Sequence, residues 1–133
     1  MSDLSVYAAE QFVDWLSQGT IDTAPSNIYV ALFDGSGTEV SDTFQNDRPA
    51  TTAATDWTVV DTGFENATEI TFGEAANDVP DITDVALYDA DLATGGNELA
   101  RYDMTDTPFD VSAGTVIQFE VGNLTFDVLD RTE

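Results

Sequence analysis

The stretch Ile28-Tyr29-Val30-Ala31-Leu32-Phe33 lies between Pro25 and the turn sequence Asp34-Gly35-Ser36-Gly37. Its apolar residues fill both alternating faces, so it reads as a strand buried on two sides, at the centre of a sheet. Upstream of it the period changes. From Leu4 to Leu16 the residues Leu4, Ala8, Phe12 and Trp15, with Ala9, Val13 and Leu16 beside them, recur every three or four positions. That spacing predicts one amphipathic helix over about residues 4–17. Ser2 or Asp3 can cap its start, Gly19 can end it in a left-handed conformation, and Gln18 to Ser26 forms the connection.

Downstream, strand patterns follow at Trp57–Val60, Glu69–Phe72, Asp84–Tyr88, Glu98–Tyr102, Val116–Val121 and Leu124–Leu129. Thr94-Gly95-Gly96-Asn97 and Ala113-Gly114 supply turns between them. With Gly122-Asn123 as a two-residue loop, the last two segments form a hairpin in which Val121 faces Leu124, Phe119 faces Phe126 and Ile117 faces Val128. The expectation is a mainly β chain: an antiparallel β-sandwich or barrel-like sheet over about residues 27–130, with the N-terminal helix packed on it. Residues 1–133 fit a single domain. Asp34 to Asp56, rich in Thr, Ala, Asp and Gly, is the least structured stretch.

Charge sets the next constraint. Twenty-six acidic residues stand against three arginines, with no histidine or cysteine, for a formal net charge of -23. Like charges at this density repel in dilute buffer and are screened at ~1 M salt, where the Debye length is ~3 Å. Disorder requires low hydrophobicity, and 42% of this chain is apolar, so a folded, halophilic protein is expected.

The same inventory removes most enzyme chemistries. Lacking His and Cys, the chain has no Ser-His-Asp or Cys-His nucleophile and no ordinary zinc site; lacking Lys, it has no Schiff base or P-loop. Arg48, Arg101 and Arg131 are too scattered to form a phosphate-binding surface, so no nucleic-acid partner is expected. Apolar runs fall far short of the ~20 residues that cross a bilayer. Met1-Ser2-Asp3 opens no secretory signal.

Carboxylate chemistry is what remains. Asp78, Asp81, Asp84, Asp89 and Asp91 cluster in sequence, but a calcium loop read from Asp89 meets Ala93 at its fifth place and Ala100 at its twelfth, so the motif fails. No Asp or Glu sits in an aromatic setting that would mark a glycosidase acid. Phe72, Phe119 and Phe126 alternate as core positions rather than as a sugar platform. No cofactor, metal or catalytic residue is assigned. Asn66-Ala67-Thr68 and Asn123-Leu124-Thr125 match the glycosylation pattern, which is frequent by chance.

The order of segments resembles a family of small structural proteins of tailed bacteriophages and tailed archaeal viruses, including those of haloarchaea. The likeness runs through Gly19-Thr20, the strand Ile28 to Phe33, Gly37-Thr38-Glu39-Val40-Ser41 and Arg48-Pro49-Ala50. It continues in Glu69 to Ala75, Asp84 to Ala90, Thr94 to Leu99, Val111 to Thr115 and Gly122 to Phe126. The chain departs from that pattern in its acidity and in carrying Asn46-Asp47 before Arg48, where relatives often have an aromatic residue.

The resemblance implies a non-enzymatic virion component, a tail-fibre, minor tail or head-decoration protein, whose partners are itself and other capsid or tail proteins. Combined with the composition, it implies a virus of a halophilic host. A homo-oligomer is expected, and the helix surface carrying Phe12, Trp15 and Leu16 is the candidate assembly interface. The alternative is a receptor- or glycan-binding fibre module acting through its loops.

Overall fold

The computed structural model describes residues 3–20 and 22–128. Helix α1 (Val6–Gln18) is followed by β1 (Asn27–Asp34), a 3-10 turn at Ser41–Thr43, β2 (Ala50–Thr52), β3 (Trp57–Val60) and β4 (Gly63–Asn66). Then come β5 (Ile70–Glu74), β6 (Val79–Tyr88), β7 (Glu98–Asp103), β8 (Phe109–Val111), β9 (Val116–Phe119) and β10 (Thr125–Asp127). The strands pair antiparallel in a five-stranded sheet ordered β2-β1-β6-β7, with β8 also on β6, a three-stranded sheet β10-β4-β3, and the pair β5-β9.

β1 is the central strand that its apolar run predicts. It pairs with β6 from Tyr29↔Tyr88 to Asp34↔Ile82 on one side and with β2 on the other. On one face Val30 and Leu32 join Val85, Leu87 and Ala100 in the main core. The two smaller sheets cover that face, contributing Trp57, Phe64 and Phe126 from one and Ile70, Phe72 and Ile117 from the other. Phe72 and Phe126 are fully buried, each burial contributing about 2–3 kcal/mol. On the other face Ala31, Phe33 and Ala86 form a smaller cluster with Tyr88. The arrangement is sandwich-like, as expected.

Two backbone features let the strands run further than the pattern suggests. Gly73, at φ 75°, takes up the register shift in the β5–β9 pair, and a Cβ there would lie 2.8 Å from the Gln45 amide oxygen. The strand therefore continues past Phe72 to Glu74. Asp81, at φ 59°, bends β6 between its pairings with β8 and β7, and its N–H donates to Asp110 Oδ1 at 2.8 Å.

Several expectations are corrected. β9 and β10 do not form a hairpin: β9 pairs with β5 and β10 with β4, setting Phe126 opposite Phe64 and Phe119 opposite Ile70. The cause is Asn66, which has no exposed surface and takes the ladder's place. Its side-chain Nδ2 donates to the carbonyls of Thr68 and Glu120, both at 2.9 Å, and its Oδ1 accepts from Leu124 N–H at 3.0 Å. Its main chain bonds Leu124 and Gly122. Asn66 is thus wholly engaged in the fold, not a free glycosylation acceptor.

The stretch Asp34 to Asp56 is tied down rather than loose. Ser41 Oγ accepts from Leu32 N–H at 2.9 Å, Phe44 is core, and Thr51 accepts from the Trp57 indole at 2.8 Å. The helix cap is Ser5, whose hydroxyl accepts from Ala8 N–H at 3.1 Å, in place of Asp3; Ser2 and Leu129 lie outside the described residues. Gly19 ends the helix in the left-handed conformation expected of it. Strands β2, β4 and β8, three or four residues each, carry too little alternation to be seen in sequence.

Asn66→Ala should cost about 3 kcal/mol and lower the thermal midpoint by ~10 °C, because a buried N–H and two carbonyls lose their partners. Gln118→Asp, on an exposed position, should change stability by less than ~0.5 kcal/mol. Urea unfolding of both variants checks the pair, and equal effects would contradict the Asn66 clamp.

Candidate functional site

The N-terminal arm is built from its attachment outward. Asp3 and Ser5 add to the edge of β7: Arg101 N–H donates to Asp3 C=O, and Ser5 N–H donates to Leu99 C=O, both at 2.9 Å. Asp3 also reaches the three-stranded sheet, accepting from Asp127 N–H at 2.9 Å and donating its own N–H to Asp127 C=O at 2.8 Å. Burial raises the Asp3 carboxyl above the usual carboxylate range, and the nearby Asp127 charge adds to that.

Beyond this anchor the helix leaves the body. Tyr7, Ala8 and Gln11 are half-buried, and every residue from Phe12 to Thr20 is exposed. No helix residue is fully buried. Phe12 is 41% exposed, Trp15 53% and Leu16 70%, with Val6 at 76% and Val13 at 60%. The rings of Phe12 and Trp15 meet edge to face at 5.7 Å, so their contact is with each other. The structure thus brings all three sequence-selected residues onto the free part of one helix. It also adds Val13, which the sequence pattern had set beside the stripe, and Val6, which that pattern had not singled out.

Between the arm and the sheet lies a cleft of about 490 Å³, whose lining includes Tyr7, Gln11, Asp22, Asn27, Tyr29 and Asp89. Gln11 Oε1 accepts from Asp22 N–H at 2.8 Å and the Tyr7 hydroxyl donates to Asp22 at 3.3 Å, fastening the returning strap to the helix. Desolvation and the charges of Asp22 and Asp89 raise the Tyr7 phenol.

Both described arginines serve the fold. Arg48, nearly buried, forms a two-pronged pair with Glu39 at 2.9 and 2.7 Å, while its Nη1 donates to the carbonyls of Ala90, Asp91 and Gly95. Its guanidinium lies 4.0 Å from the Tyr88 ring centroid. Tyr88 stacks on Phe33, and Arg101 lies 4.1 Å from the Phe33 centroid. Hydrogen bonding to Glu39 raises the Arg48 pKa. Burial opposes the Arg101 charge, but the hydrogen bonds to Glu98 and Asp84 outweigh it and raise its pKa. Arg131 lies outside the described residues.

Four of the five clustered aspartates are engaged within the fold. Asp78 accepts from Ala113 N–H, Asp84 pairs with Arg101, and Asp89 and Asp91 accept from Asn97 and Thr94 N–H. Hydrogen bonds from Thr94 hold Asp91 below the usual carboxylate range, as those from Ser36 and Thr38 do for Asp34. Among the described residues, no helix is long and apolar enough to cross a membrane.

A compact β body, cations turned inward and an arm that leaves large apolar side chains free together define a structural module. The chain belongs to the family described as Podophage GP4 fiber I protein gp80, whose model matches residues 3–127. It is therefore a virion component of a phage tail-fibre family. Of the placements that the resemblance offered, the fibre is the one the family names. No curated protein matches the chain significantly.

Glu39→Gln should destabilise the fold by about 3 kcal/mol, since it strips the charge partner from a nearly buried guanidinium. Asp84→Asn should cost less than ~1 kcal/mol, because Arg101 is a third exposed and keeps Glu98. Denaturant midpoints of the two variants, at unchanged slope, check the contrast.

Proposed function

We propose that this chain is a non-enzymatic structural domain of a tailed virus particle infecting a halophilic host, and that it assembles with itself and with other virion proteins through α1. The observation that carries this reading is the free half of the helix, where Phe12, Trp15 and Leu16 stand in solvent on a chain of net charge -23. Over most of the remaining surface a close approach of copies opposes carboxylate to carboxylate. Here apolar area can be removed from water, and aromatic residues are the side chains that interfaces favour. High salt screens the remaining repulsion and strengthens burial.

Thermal unfolding should shift to higher temperature as potassium chloride rises from ~0.1 to ~2 M, because the repulsion among the carboxylates is then screened. A midpoint unchanged over that range would remove the halophilic part of the reading.

In ~2 M salt the purified chain should form a defined oligomer or bind tail proteins of its own virus. Phe12→Asp combined with Trp15→Asp should abolish the association and leave the circular dichroism of the β body unchanged, both side chains being exposed. Unfolding of that variant, or its normal assembly, would overturn the role given to these residues. A second reading, a receptor- or glycan-binding module, draws on the cleft, where Tyr7 and Tyr29 stand with carboxylates and amides. Glycan binding by a chain that ignores every virion protein would favour it.

A further inference from the structure

The side of α1 turned furthest from the body is not the one bearing Phe12 and Trp15. At 100° per residue, Val6, Ala9, Val13 and Leu16 lie about 170° around the helix from Tyr7, Ala8 and Gln11, which touch the body. All four are exposed. Their spacing is three, four, three, that of the a and d positions of a coiled coil, with Val6 and Val13 at a and Ala9 and Leu16 at d. A seam of this period fits a partner helix laid along it.

We propose that α1 pairs with α1 of a second copy of this chain, in parallel, as a short two-stranded coiled coil through Val6, Ala9, Val13 and Leu16. The proposal rests on the reading of α1 as an assembly surface and names its occupant. β-branched residues at a with leucine at d favour two parallel strands. Charge permits this pairing. In parallel register the flanking pairs are Ser5 with Glu10 and Phe12 with Ser17, so no carboxylate opposes another across the seam.

The remaining positions, Tyr7, Ala8, Gln11, Asp14, Trp15 and Gln18, fall on the body side or the flank, so the bodies stand outside the pair. The area is that of a weak, salt-dependent pair: Val6, Ala9, Val13, Leu16 and part of Phe12 offer roughly 400 Å² per copy, about 800 Å² in total, at the low end of specific contacts.

The chain contains no cysteine, so single cysteines report the pairing directly. Leu16→Cys and, separately, Val13→Cys should oxidise to covalent dimers in ~2 M salt at micromolar protein. Val59→Cys, exposed on β3, should stay monomeric under the same conditions and serves as the control. Val13→Asp should abolish the wild-type dimer in sedimentation equilibrium with unchanged circular dichroism.

A Val6→Cys and Leu16→Cys mixture that links only to each other would show antiparallel pairing and overturn the parallel register. Monomeric Leu16→Cys and Val13→Cys proteins that still bind tail proteins, in a manner lost on Phe12→Asp with Trp15→Asp, would overturn the second copy as occupant and leave the assembly reading standing. Normal assembly of that double variant, with no cysteine dimer, would remove both.

Discussion

Asn66 decides how the second half of the chain is folded. A buried amide must have its hydrogen bonds satisfied, and here the partners are main-chain groups of Thr68, Glu120 and Leu124. By holding those groups, one side chain turns the polypeptide out of β9 and delivers it to β10 in a different sheet. Both small sheets can then lie over the same face of the large one. Phe126 consequently stacks on Phe64 at 5.4 Å and meets Trp57, while Phe119 meets Phe72. The aromatic core follows from where the corner is pinned.

The opposite face is organised by charge. Arg48, Tyr88, Phe33 and Arg101 form a stack of alternating cation and ring contacts, with Glu39, Glu98 and Asp84 at its edges. Arg48 also gathers three carbonyls of the Ala90–Gly95 turn, a task suited to a guanidinium's forked donors. Both described cations are spent inside the protomer. Most of the other described carboxylates are fastened in turns or face solvent, so the exterior is anionic.

Legibility in the sequence followed burial. β1 and the second half of β6 were visible because a strand covered on both faces must be continuously apolar. The helix and its Gly19 end were visible because period and cap chemistry are local. The false hairpin arose because Val116 to Val128 alternates well enough for pairing with itself, while its true partners, β5 and β4, are some fifty residues away and contribute short segments. Asn66 was invisible as a clamp, since an asparagine before Ala-Thr reads as a turn or a glycosylation acceptor. Arg48 stood out as one of three scattered arginines, in the Arg48-Pro49-Ala50 block and for its unusual predecessor, and its five donors become meaningful once the Glu39 and Ala90 segments converge on it. At the arm, Phe12, Trp15 and Leu16 were legible as apolar. Which side they faced was not, because a stripe at helical spacing is the same whether it meets a core or a partner.

That ambiguity is resolved by how little of α1 the body can reach. The arm is anchored through Asp3 to Ser5 on the β7 edge and touches the sheet through Tyr7, Ala8 and Gln11, after which the body falls away. A helix of thirteen residues is marginal in water on propensity alone, and most helical stability comes from covering an apolar side. Here the Ser5 cap, the Gly19 end and the strap through Asp22 secure its two ends, but they leave the stripe uncovered. The free energy still available to this segment is the burial of Val6, Val13 and Leu16, and the body offers no surface for it. An acidic chain that keeps an uncharged helix face away from its own core leaves that face as apolar surface that its own body does not cover.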